Sequence, residues 1–453
     1  MNIRRLSEFA GIIMAIALIM TILYHLVNTI PPEGALKESQ AVAIFEDASC
    51  ITCHLKNTTP SFYSDLFLVG RIVENNRQKG YHTFDIKDTW EKMINGKAIN
   101  EVHLAKIEME IVTLGTMPPA KYYLFHWGSS ITAAKKSIIK NWIKYHRDKF
   151  FHNELSSEQF KYEPIRPIPS FLHVNKRKSS LGEKLFNEKR LSADNTISCA
   201  SCHNLKNGGA NNRQYPESIN KRLCGMNTQT IFNTYFNALQ SWNGNTTDMC
   251  EYIGKHVLNQ NIMGNNSFSY IINKLKSDDD ISDSFNKIYE DGITESTITD
   301  AINEFVKTLI TPDSNFDKYT KGDDNAINKM QIFGYELFKS YRCATCHAGV
   351  NLGGQTRELM GRYKNYFEDR RWEITKEDMG YFNHTADEYD RHRFKVPGLR
   401  NVELTKPYFH DGSQQTLHEA VQTMGIYQSG CKISDEDANA IVSFLETLTG
   451  DFK

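Results

Sequence analysis

The longest apolar run in the chain comes first. From about Phe9 to Ile30 hydrophobic residues are interrupted only by small or weakly polar ones and by His25. As a helix rising 1.5 Å per residue, this run spans about 33 Å, enough to cross a bilayer core. It leaves through Val27-Asn28-Thr29-Ile30-Pro31-Pro32 and lacks the small-x-small exit of a cleaved leader, so an uncleaved anchor is the better reading. Arg4 and Arg5 precede it, which puts the N-terminus in the cytoplasm and the rest of the chain outside. Further on, strand signals are sparse. Helical stripes recur at Leu181, Leu185 and Phe186, at Phe333, Leu337 and Phe338, and at Ile441, Phe444 and Leu445. Tyr162 to Pro169 carries three prolines and reads as an extended linker. A second boundary falls in the turn-rich stretch from Thr311-Pro312 to Asp324. The pattern predicts a mainly α protein with long loops.

Composition narrows the function classes little. Charged residues make up 24% and the net charge is −1, which gives no reason to expect a nucleic-acid partner. The cysteines are more informative, because six of the nine fall into one repeated pentapeptide. Cys50-Ile51-Thr52-Cys53-His54, Cys199-Ala200-Ser201-Cys202-His203 and Cys343-Ala344-Thr345-Cys346-His347 are all C-x-x-C-H. Two thiols at that spacing can add to the two vinyl groups of one haem, and the adjacent histidine becomes the proximal iron ligand. With 9 Cys and 15 His in 453 residues, chance supplies about 0.006 such pentapeptides. Three covalently bound c-type haems are therefore expected. The organisation that follows is an anchor over 1–32, a mono-haem unit over 33–160, a linker over 161–178, and haem domains over 179–325 and 326–453. Cys224, Cys250 and Cys431 remain, and an oxidising compartment would permit a Cys224–Cys250 disulfide or leave all three unpaired.

A sixth ligand separates a carrier from a reactive haem. Methionine raises the potential and suits electron transfer. For the first haem the choice is Met117, in Gly115-Thr116-Met117-Pro118-Pro119, over Met93 and Met109. For the third it is Met424, over Met360 and Met379. The middle haem has no assignable sixth ligand, and its iron is expected to be open.

Several longer motifs accompany the pentapeptides. They are Leu191-Ser192, Thr311-Pro312-Asp313-Ser314 with Phe316-Asp317, Asn351-Leu352-Gly353-Gly354, Val396-Pro397-Gly398-Leu399-Arg400-Asn401-Val402 and Lys406-Pro407-Tyr408-Phe409-His410-Asp411-Gly412. In that order they resemble the bacterial di-haem cytochrome c peroxidases. With the anchor and the first haem unit, the chain resembles the family's membrane-anchored tri-haem branch, the quinol peroxidases. The resemblance implies a peroxidatic haem at His203, a high-potential electron-transfer haem at His347 and Met424, and an electron-receiving haem at His54 and Met117. It implies that Trp242 lies between the two core haems. It also implies a calcium ion held by Asn227 and by the backbone carbonyls of Thr405 and Pro407. Further implications are hydrogen peroxide as substrate, a quinol or cytochrome c donor, a location at the bacterial inner membrane with the haem domains in the periplasm, and a possible homodimer.

The match fails around the expected active site. Ile219 falls where many members carry a histidine that blocks the peroxidatic iron, and Ile262 falls at the distal glutamate position. Acid–base help in cleaving the O–O bond is typically worth 10²–10⁴-fold, and isoleucine cannot give it. His256 and Tyr252 are the candidates to replace it. The alternative is a non-catalytic electron-transfer or sensing cytochrome. The related methylamine-maturation enzymes carry tyrosine at the Met424 position, which argues against that activity.

Overall fold

In the computed structural model the described residues are 3–56, 58, 67–124, 126–370 and 372–452. The chain is 53% helical, with one small sheet among the described residues. It divides into two compact units, residues 1–152 and 153–453.

In the first unit the N-terminal helix Ile3–Val27 contains an apolar window, Ala10–Val27, long enough to cross a membrane and nowhere buried by protein. Its end is tied down. The Asn28 amide donates to the Trp127 carbonyl at 2.8 Å, and the Ser130 backbone N–H donates to the Asn28 Oδ1 at 3.1 Å. The helical core packs Ile44 and Phe45 of Lys37–Asp47 against Ile139, Trp142 and Ile143 of Ala133–Phe150. Thr132 caps the latter helix by accepting from the Lys135 N–H. Helix Glu101–Ile107 runs into a π-helical turn, Glu108–Thr113, which leads to Met117.

The second unit is built on one packing device used twice. Helix Lys176–Phe186 crosses helix Glu295–Thr308 at Gly182, where a Cβ would lie 1.9 Å from the Ala301 carbonyl oxygen. Helix Lys329–Ser340 crosses helix Asp435–Glu446 at Gly334, where a Cβ would lie 1.9 Å from the Ala440 carbonyl oxygen. Only glycine permits that approach. The sequences repeat as well. Gly182-Glu183-Lys184-Leu185-Phe186 matches Gly334-Tyr335-Glu336-Leu337-Phe338, and Ala301-Ile302-x-x-Phe305-x-x-Thr308-Leu309 matches Ala440-Ile441-x-x-Phe444-x-x-Thr447-Leu448. Each crossing has its own hydrophobic cluster. The three helical stripes read from the sequence fall inside these helices, but Phe333 is 47% exposed, because Gly334 and Tyr335 face the crossing instead.

Long-range polar contacts then fuse the two parts. Arg400 and Asp317, both fully buried, form an ion pair at 2.7 Å that is not aligned as a hydrogen bond, so charge rather than geometry holds it. The guanidinium also donates to Ser314 Oγ and to the carbonyls of Val350 and Arg166. Thr311 Oγ1 accepts from both Asn233 and Asn401. The boundary expected near residue 325 therefore does not separate compact units. The stretch read as a linker, 161–178, is largely extended but belongs to the second unit. Ile165 and Ile168 are buried, and Ile165 forms a bridge with Gly349.

Replacing Gly182 by Ala should push the first crossing apart. The expected cost is about 1–3 kcal/mol, read as a lowered melting temperature; an unchanged value would contradict the close approach.

Candidate haem sites and the middle pocket

The three motif histidines share one arrangement. His54 Nδ1 lies 2.9 Å from the Phe84 carbonyl, His203 Nδ1 lies 3.2 Å from that of Gly209, and His347 Nδ1 lies 2.9 Å from that of Leu352. A carbonyl can only accept, so each Nδ1 carries the proton and donates it. Each Nε2 is left as a lone-pair donor, the tautomer an iron ligand needs. Burial also lowers the proton affinity of His203 and His347. Cys50, Cys199 and Cys343 each pack against a hydrophobic cluster, as expected of sulfurs facing an apolar interior. The chain's own residues thus fit a haem at each motif.

Each motif of the second unit hangs from a helix crossing. Phe186, Phe305 and Leu309 pack on Cys199 and Ala200. Phe338, Ile441 and Leu445 line a cavity of about 250 Å³ that also exposes Cys343, Cys346 and His347. Met424, at the end of helix Leu417–Met424, and Met360 both line this cavity. The Met360 sulfur already takes the Gln428 amide at 3.6 Å, and the Met379 sulfur is engaged by Arg391 outside the cavity. In the first unit Met117 packs on the cluster that includes Cys50, whereas Met93 is 2% exposed within the core.

Trp242 lines the cavity around His347, and its Nε1 donates to the Asn227 carbonyl at 2.7 Å. Asn227, Thr405 and Pro407 line it too. The Asn227 Nδ2 is spent on the carbonyls of Arg213 and Gln214, which leaves its oxygen as a donor suited, with the backbone carbonyls, to a hard cation. Beneath Trp242 lies a network that sequence reasoning missed. The His410 ring meets Trp242 edge-on at 6.4 Å, and its Nε2 lies 2.8 Å from Asp378. Arg370 bridges Asp378 and Asp411. Burial alone would raise the Asp378 carboxyl; the hydrogen bonds from His410 and Arg370 hold it well below the usual range. Arg370 already supplies the cation that these acidic groups would otherwise attract.

The middle pocket differs in kind. Tyr252 and His256 sit one turn apart on helix Met249–Leu258, with ring centroids 5.7 Å apart. Both side chains are half-buried. Burial pushes the Tyr252 phenol up to about 12. Burial lowers His256 to about 4. Ile262 packs against the hydrophobic cluster of the first crossing. Its carbonyl accepts from the Ile219 N–H at 3.2 Å, and Ile219 Cδ1 fills the space over Gly264. The loop around Ile219 is thus pinned to the segment that carries Ile262. Cys224 neighbours Cys202 and Ser218, whereas Cys250 neighbours Asp248 and Asp300, and no disulfide joins described residues.

Comparison with known proteins agrees with this architecture. The di-haem cytochrome c peroxidase family matches residues 176–325, and a haem-binding domain family matches 17–145. The cytochrome c peroxidase Ccp of Escherichia coli K12 is 38% identical over 421 residues, covering 92% of this chain and 89% of that one. The chain belongs to the cytochrome c peroxidase family. The cytochrome c551 peroxidase of Nitrosomonas europaea is 40% identical over 291 residues, covering 64% of this chain and 85% of its own length. A solved MauG-like protein associated with microbial copper homeostasis shares the fold at a TM-score of 0.55, with 23% identity over 63% of this chain and 95% of that one. The relatives that match only about two thirds of this chain leave a third without a counterpart.

Proposed function

We propose that this enzyme, an oxidoreductase acting on peroxide, carries three c-type haems and reduces one hydrogen peroxide to two waters with two electrons and two protons. A haem held by Cys199, Cys202 and His203 would supply the redox iron. The observation that carries the reading is the pairing of Tyr252 and His256 one turn apart on helix Met249–Leu258, whose Ile253 and Val257 pack in the cluster of the first crossing, the crossing of the motif for which no methionine was assigned.

The chemistry of that pair suits proton traffic. At neutral pH His256 is a neutral imidazole able to take a proton from peroxide, and Tyr252 keeps its phenolic proton and can donate a hydrogen bond. The pinned loop at Ile219 places no histidine over the pocket, which supports an iron open at rest. His54 with Met117, and His347 with Met424, would be carriers, and electrons would pass from the first to the third and reach the second beside Trp242. The tie between Asn28 and the 127–130 segment fastens the apolar helix to the first haem unit, which favours a membrane quinol as donor over a soluble cytochrome c. Asn227, Thr405 and Pro407 would hold a calcium ion. Ile262, packed in the core where the family has its glutamate, favours a second reading, a cytochrome that carries or senses electrons without turnover.

Steady-state peroxide reduction by the purified holoenzyme separates the two readings. With a reduced quinol analogue the rate should far exceed that of free haem; a rate no greater sinks the enzymatic reading, and turnover with reduced cytochrome c alone removes the quinol. Replacement of His256 by Ala should lower the rate about 10²-fold at unchanged haem content. An unaltered rate would remove His256 from the mechanism.

A further inference from the structure

One polar side chain on the wall of the cavity around His347 is buried without a partner among the described residues. Lys395 is 4% exposed, lines the cavity, and makes no hydrogen bond or ion pair through its ammonium. Burial is the one influence on its proton affinity, which it lowers to about 8; no described carboxylate offsets it. Glu358 lines the same cavity, but its charge acts on His347.

Lys395 is held firmly by its backbone. Lys395 belongs to strand Arg393–Lys395, which pairs with Arg357–Leu359, and its N–H donates to the Trp242 carbonyl at 2.8 Å. A fold does not bury a rigidly placed ammonium without compensation, because it is costly when unpaired. The missing partner is an anion that enters the cavity. A haem attached at Cys343 and Cys346 brings two propionate carboxylates.

We infer that Lys395 binds a carboxylate of the haem of the third motif, and that its charge raises that haem's reduction potential. A fixed cation stabilises the form with one more electron. The role is one of positioning and tuning, and it places a charge on the residue bonded to Trp242. It rests on the reading that the third motif carries a haem.

The test is a spectroelectrochemical redox titration of the holoenzyme, with haem content measured alongside. In Lys395→Met one haem should titrate at a lower potential while the other two keep theirs. Lys395→Arg should restore the wild-type value. A Lys395→Met protein with three haems and unchanged potentials overturns the inference alone. So does a shift of all three together, which marks general loosening, or a wild-type potential that follows chloride concentration, which assigns the ammonium to a solvent anion. If Lys395→Met does not fold, Lys395→Gln takes its place and must show the same single shift. A wild-type protein with two haems overturns the third-haem reading, and this inference with it.

Discussion

The backbone approach at Gly182 and Gly334 is the constraint on which the second unit depends. Each glycine lets one helix lie directly against the carbonyls of another, and the aromatic and aliphatic residues that flank the crossing form the wall to which a C-x-x-C-H segment is fixed. Any side chain at either glycine would widen the crossing and move that wall relative to its histidine. The same construction then serves two chemically different pockets, because what distinguishes them comes from other segments. Helix Leu417–Met424 brings a thioether to one, and helix Met249–Leu258 brings a phenol and an imidazole to the other.

Asn227 receives a hydrogen bond from Trp242, and both Asn227 and Gln229 line the cavity of His347. The His410–Asp378–Arg370 network lies under Trp242, and the Arg400–Asp317 pair locks the segments on either side. Breaking one partner of such a buried pair typically costs about 3–5 kcal/mol. These contacts bring the motifs at 311–317 and 396–402 together in space.

Much of this was legible in the sequence for local reasons. The pentapeptides announce haem attachment because thioether formation fixes their spacing. The stripes at 181–186 and 441–445 announce helices because core burial imposes the 3.6-residue period. The repeat that sets the crossings was equally present, as Gly-x-x-Leu-Phe and Ala-Ile-x-x-Phe-x-x-Thr-Leu, but it is spread over segments more than 100 residues apart and has no constant period. What depends on distant partners was not legible. Prolines at 164, 167 and 169 correctly point to an extended segment, yet nothing local says that Ile165 and Ile168 are buried. Nor could spacing show that the loop at Ile219 is tied to Ile262. The carbonyl partners of the three histidines are backbone atoms, which leave no mark on side-chain identity.

The central claim is that one pocket of three is open for chemistry while the other two are closed by methionine. Its most direct test is the spin state of the resting ferric protein, measured by EPR and by cyanide titration against total haem. The account predicts one high-spin haem in three, lost on binding one equivalent of cyanide, with two low-spin haems unaffected. Three low-spin haems that ignore cyanide would contradict it.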